Sequence, residues 1–84
     1  MITYLLTCRS LTYAQRTAKA LERAGITAIL LRTPKVISEN GCGYCVKVSE
    51  HRLADALVAL KNVDLAPSRV YIHSGDGSFS EVSV

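Results

Sequence analysis

Three cysteines carry the reactive potential of this chain. Cys42 and Cys45 lie three apart in the stretch Glu39-Asn40-Gly41-Cys42-Gly43-Tyr44-Cys45, and Cys8 stands near the N-terminus. A thiolate is at once a nucleophile, a metal ligand and a redox group. The Cys-x-x-Cys spacing therefore opens three chemistries: thiol–disulfide exchange, zinc ligation, and transient holding of a sulfur or selenium atom. Gly41 and Gly43 flank Cys42 and let the backbone bend, so its sulfur is expected on an accessible loop.

The surroundings weigh these chemistries against each other. A thioredoxin-type pair opens a helix, whereas Cys45 leads into Val46-Lys47-Val48, an apolar-alternating strand. Zinc needs four ligands, and the pair supplies two. Cys8 or a second subunit would have to complete the set, because there is no second Cys-x-x-Cys and no histidine close by. No resident metal or cofactor is expected.

The elements that position the thiols follow from hydrophobic periodicity. Residues 2–8 read as a strand of β-branched and aromatic residues. Ser10 or Thr12 then caps a helix whose buried stripe is Leu11, Ala14, Ala18 and Leu21, and Gly25 ends it. Residues 26–31 form a second strand, and 32–41 a loop with Pro34 and the turn dipeptide Asn40-Gly41. A third strand starts at Tyr44. Ser49 caps a second helix with Leu53, Leu57 and Leu60 inside, and 69–73 make a fourth strand. The order β-α-β-β-α-β predicts an α+β, ferredoxin-like fold: a four-stranded antiparallel sheet with two helices on one face. Right-handed crossovers put strand 3 between strands 1 and 2, and strand 4 beyond strand 1.

In that topology Cys8, Cys42 and Cys45 converge on one edge, toward which the first helix points its N-terminus. Arg9, Arg32 and Lys35 lie in the segments around it. Cations and a helix N-terminus both favour a thiolate, so lowered thiol pKa values are expected. Cys42 is the expected nucleophile, Cys45 its second thiol, and Arg9, Arg32 and Lys35 the cations that steady a terminal anion. Cys8 shares a face with Ile2, Tyr4 and Leu6 and is expected to be buried; Cys45 should face the open side of the sheet. His73 belongs at the opposite edge, away from the thiols.

Size and composition set the remaining bounds. The 84 residues, 49% hydrophobic and 20% charged, make one domain over 1–75, followed by a polar tail over 76–84 expected to be flexible. A net charge of +3 without a Lys/Arg cluster argues against nucleic-acid binding, and no apolar run has membrane-spanning length. The N-terminus reads as a strand rather than a signal peptide, so a reducing, cytoplasmic setting is expected. Leu5, Ile29 and Tyr71 on the open sheet face suit a partner protein or a homodimer.

Several stretches also form a known pattern. They are Ser10 with Ala14, Leu21-Glu22-Arg23-Ala24-Gly25-Ile26, Arg32-Thr33-Pro34-Lys35-Val36-Ile37-Ser38, and Cys42-Gly43 opening an apolar strand. On these the chain resembles a family of small proteins termed selenium/sulfur carrier-like, across most of residues 2–73. The resemblance implies a ferredoxin-like fold and makes Cys42-Gly43 the pair that holds sulfur or selenium. It assigns Pro34, Lys35 and Ser38 to a recognition loop, and implies donor and acceptor proteins of sulfur and selenium metabolism as partners. Cys45 departs from the pattern, standing where the family shows an apolar or small residue, and Cys8 and Arg9 lie outside its signature. Two alternatives stay open beside the carrier: a thiol–disulfide oxidoreductase or metal-binding module using Cys42 and Cys45, and a non-catalytic interaction module.

Overall fold

Leu6 and Cys8 alternate with Leu5 and Thr7 along a central strand, β1 (Thr3–Cys8), and this alternation divides the molecule into two faces. The computed structural model describes residues 2–35, 37 and 43–82. Beside β1 stand β2 (Ile29–Arg32), β3 (Tyr44–Ser49), β4 (Arg69–His73) and β5 (Phe79–Val82), in the order β2-β3-β1-β4-β5. Every pairing is antiparallel. Helices α1 (Leu11–Arg23) and α2 (Leu53–Asn62) cover one face. There Ala14, Leu21, Ala56 and Leu60 pack on Leu6, Val46, Val48 and Val70 as one core. Neither helix is long and apolar enough to cross a membrane.

The fold is α+β, with strands 1 to 4 in the anticipated order. The sheet has five strands, however, which corrects the expected four. The fifth comes from the stretch expected as a tail. Asp76 accepts hydrogen bonds from the Ser78 backbone N–H and hydroxyl (3.0 and 2.7 Å), and Gly77 takes φ 90°. This closes a turn that brings Phe79 onto the His73 ring at 4.4 Å and Val82 against the main core.

Local sequence explains the helix ends. The Ser10 side chain accepts from the Tyr13 N–H at 3.1 Å and satisfies one open donor of α1. The second helix starts later than anticipated: Ser49 makes no side-chain cap, Glu50–Arg52 form a 3-10 turn, and α2 begins at Leu53. In α1 the buried stripe is Ala14, Thr17 and Leu21, while Leu11 is 40% exposed in the first turn. Buried Thr17 is satisfied because its hydroxyl donates to Tyr13 O at 2.9 Å.

Both helices end by the same device. The Ile26 N–H reaches back to Leu21 O and the Leu65 N–H to Leu60 O, each at 2.9 Å, closing the last turn over an apolar pair. The residue between must be left-handed. In α1 it is Gly25 at φ 79°; in α2 it is Asp64 at φ 59°. An aspartate there bears a steric cost glycine lacks, and its charge opposes the helix dipole. Asp64→Gly is expected to stabilise the fold by about 0.5–1 kcal/mol, read from urea unfolding. A destabilised variant would show that the Asp64 side chain has a compensating role.

Candidate functional site

The chemistry-bearing end of the sheet is the edge where β1 finishes. Cys8 lies opposite Tyr44 and Thr7 opposite Cys45, while Arg32 pairs with Tyr44 at the end of β2. Helix α1 starts from this edge at Ser10. The start of β4 is bound there too: Ser68 N–H donates to Thr7 O at 2.9 Å, and the Thr7 hydroxyl accepts from Arg69 N–H at 2.9 Å. Thr33 N–H donates to Gly43 O at 3.0 Å, bridging the two ends of the loop between β2 and β3.

Cys8 and Cys45 therefore reach the same edge on neighbouring strands, but the sheet separates them. Cys8 belongs to the core under the helices, where its sulfur lies 3.8 Å from the Thr17 hydroxyl and 3.7 Å from Leu6 O. Cys45 belongs to a second, smaller cluster on the opposite face, with Leu5 and Tyr71, packed by Leu31, Ile37 and Phe79. Both thiols are free. The anticipated faces hold; the openness of the second does not. Cys45 is 0% exposed, Leu5 2% and Tyr71 8%, covered within the monomer, while Ile29 at 51% stays exposed.

Burial decides the titration of these two thiols. Desolvation penalises the thiolate and pushes Cys8 up, against a weaker lowering by the hydrogen bond with Thr17. Cys45 is pushed up to about 11, again by desolvation, with a hydrogen bond to Thr33 pulling the other way and the proximity of Cys8 adding to the rise. The lowered pKa expected at this edge is thus corrected for Cys45, while Cys8 is buried as anticipated. Their sulfurs are shielded from the cations meant to stabilise them, because the side chains point into packed clusters.

The expected cations all lie at the surface. Arg9 stacks its guanidinium over Tyr13 at 5.1 Å, and Arg32 lies over Tyr44 at 5.9 Å. Lys35 is exposed in the turn where the Ile37 N–H donates to Pro34 O at 3.1 Å. Gly43 has φ 147°, a conformation that side chains rarely adopt. Cys42 and Ser38 lie outside the described residues. Among the described residues no group of three or more His, Cys, Asp or Glu side chains is gathered to hold a metal ion. His73 sits opposite Thr3, at the far end of the sheet from Cys45. Sequence reasoning overlooked Thr33, Leu31 and Ile37, the residues that hydrogen-bond or cover Cys45. The alternation of Ile29 and Leu31 on the Cys45 face was the available signal.

Fold and site define a class: a small α+β domain with two free, buried thiols, Cys8 and Cys45, at one end of the sheet, and in its sequence a Cys42-Gly43 step just before β3. The family model described as "Putative Se/S carrier protein-like" matches residues 3–72, and the chain belongs to that family. The match spans β1 through most of β4, both helices and the Cys42-Gly43 step. No curated protein matches the chain, and no solved structure does.

Two outcomes test the geometry. Between pH 9.0 and about 11 the unfolded chain ionises Cys45 while the fold keeps it protonated. The unfolded state then holds fewer protons, so this contribution to stability is complete below the unfolded pKa and is lost as pH rises through the window. From about pH 8 to about pH 11 the wild type should lose about 2–3 kcal/mol more than Cys45→Ala in urea unfolding. Equal losses would mean a solvated thiol. Gly43→Ala should cost about 1–3 kcal/mol through its backbone conformation, since the added methyl would meet Thr33 Oγ1 only at ordinary contact, 3.5 Å.

Proposed function

We propose that this protein is a sulfur or selenium carrier with a ferredoxin-like arrangement, in which Cys42 is the carrying residue. The observation that bears the reading is the family match, which includes the Cys42-Gly43 step. The Cys42 thiolate attacks the terminal sulfur of a donor protein's persulfide. A new S–S bond forms, the donor S–S bond breaks, and the donor leaves as a thiolate, so no outside oxidant is required. An acceptor thiolate then takes the terminal atom by the same exchange. Arg9, Arg32 and Lys35, exposed around this edge, suit a hydrated anion at the outer atom.

Cys45 offers a second exit. Its sulfur attacks Cys42 Sγ, giving a Cys42–Cys45 disulfide and releasing hydrosulfide; a dithiol must later reduce the disulfide. This use of Cys45 requires exposure of a buried sulfur. The partners on this reading are donor and acceptor proteins of sulfur or selenium metabolism.

Incubation with a cysteine desulfurase and cysteine, or selenocysteine, followed by intact-mass measurement, tests the reading. One added sulfur or selenium atom per chain is expected on the wild type and on Cys45→Ser, and none on Cys42→Ser. Equal uptake by Cys42→Ser would remove the carrier assignment. Insulin reduction with dithiothreitol should stay at background; acceleration would favour a thiol–disulfide oxidoreductase.

A further inference from the structure

A groove of about 510 Å³ runs along α1, from Thr12 in its first turn to Arg23 in its last, beside the segment that follows α2. Arg16, Lys19, Ala20 and Arg23 line it from α1, and Val63 and Leu65 from the segment after α2. The three cations recur at steps of three and four, which places them on one helix face over roughly 10 Å. Among the described residues none of them is in an ion pair. The nearest acid on the helix, Glu22, lines a separate hollow with Gly25 and Ile26. Asp64, between Val63 and Leu65, does not line the groove. Val63 is 53% exposed, an apolar side chain left open to solvent between Asn62 and Asp64.

We infer that this groove docks an acidic, amphipathic segment of a partner protein. A row of unpaired cations beside an apolar strip is complementary to a segment with Asp or Glu at three- and four-residue spacing and Leu or Ile between. The charged row fixes register and steers encounter; the apolar strip adds area that is removed from water. A lone phosphate would meet only part of the row and leave Val63 and Leu65 wet. A nucleic acid would lack the aromatic side chains on which bases stack, since none lines the groove. The inference stands apart from the carrier reading, because neither Cys42 nor Cys45 takes part in it.

A displayed library of random 12-residue peptides, selected on the wild-type protein and counter-selected on an Arg16→Glu/Lys19→Glu/Arg23→Glu variant, tests it. Enriched peptides should carry several Asp or Glu with interspersed Leu, Ile or Phe. The best one, made synthetically, should shift the amide signals of Arg16, Lys19, Val63 and Leu65. Its affinity should fall at least tenfold with the triple variant and with Val63→Asp, both checked for native folding by circular dichroism. Enrichment without an acidic excess, no enrichment over the triple variant, or unchanged affinity for it would overturn the proposal. So would tighter binding of a 20-nucleotide RNA, of phosphatidylserine vesicles or of inorganic phosphate to the same residues.

Discussion

The register between β1 and β3 is the constraint on which the molecule depends. It places Leu6 opposite Val46 and Tyr4 opposite Val48, and these pairs make the floor under both helices. The same register puts Leu5 and Cys45 on the other face. A slip by one residue would exchange the two sets and drive Thr7 and Lys47 under the helices, where neither would find a partner. With both central strands fixed, the remaining order follows. Strand β2 takes the free side of β3, β4 the free side of β1, and the helices can return only over one face.

From this register comes the unequal treatment of the thiols. Two cysteines at one end of adjacent strands could have been neighbours across the pair; instead Cys8 sits opposite Tyr44, and alternation turns its sulfur beneath α1. Cys45 turns the other way, into a cluster assembled from β1, β2, β4, β5 and the loop residue Ile37. Both lie in low-dielectric surroundings, and both are better proton holders than an ordinary cysteine. Neither Cys8 nor Cys45 is therefore a ready nucleophile as folded.

Much of this was legible in the sequence because one level of pattern sufficed. Alternation identified β3, β-branched and aromatic composition identified β1, and the two-residue period of a strand assigned Cys8 to the core face. Gly25 marked the end of α1 because only glycine takes the left-handed turn without cost. Where two signals conflicted, the reading favoured the wrong one. The segment after His73 is rich in serine and glycine, and its polarity outweighed the Asp76-Gly77 dipeptide, the hairpin signal that makes β5. The second helix ends at Asn62, where the stretch Asn62 to Ser68 breaks the apolar pattern even though Asp64 stands where glycine normally would. The burial of Cys45 was legible only in part, through the alternation that puts Leu31 on its face. Its cover comes from Leu31, Ile37 and Phe79, contributed by separate segments, and no local pattern reports that convergence. Cys42 and Ser38, the positions assigned by resemblance, lie outside the described residues.

On the proposed reading the burial of Cys45 separates holding from release, and the physics says which barrier matters. At pKa about 11, roughly one thiol in ten thousand is ionised at neutral pH; at the ordinary 9.0, roughly one in a hundred. Exposure would thus raise the thiolate population about a hundredfold. The less basic thiolate is also the weaker nucleophile, by roughly tenfold over two units, so the net gain in reactivity is only about tenfold. Ionisation is a weak guard. Access is the stronger one, because a sulfur with no exposed surface cannot meet another sulfur along the S–S axis unless Leu31, Ile37 or Phe79 gives way. What holds a cargo on Cys42, if Cys45 is its exit, is the packing of three apolar side chains and not the acidity of a thiol.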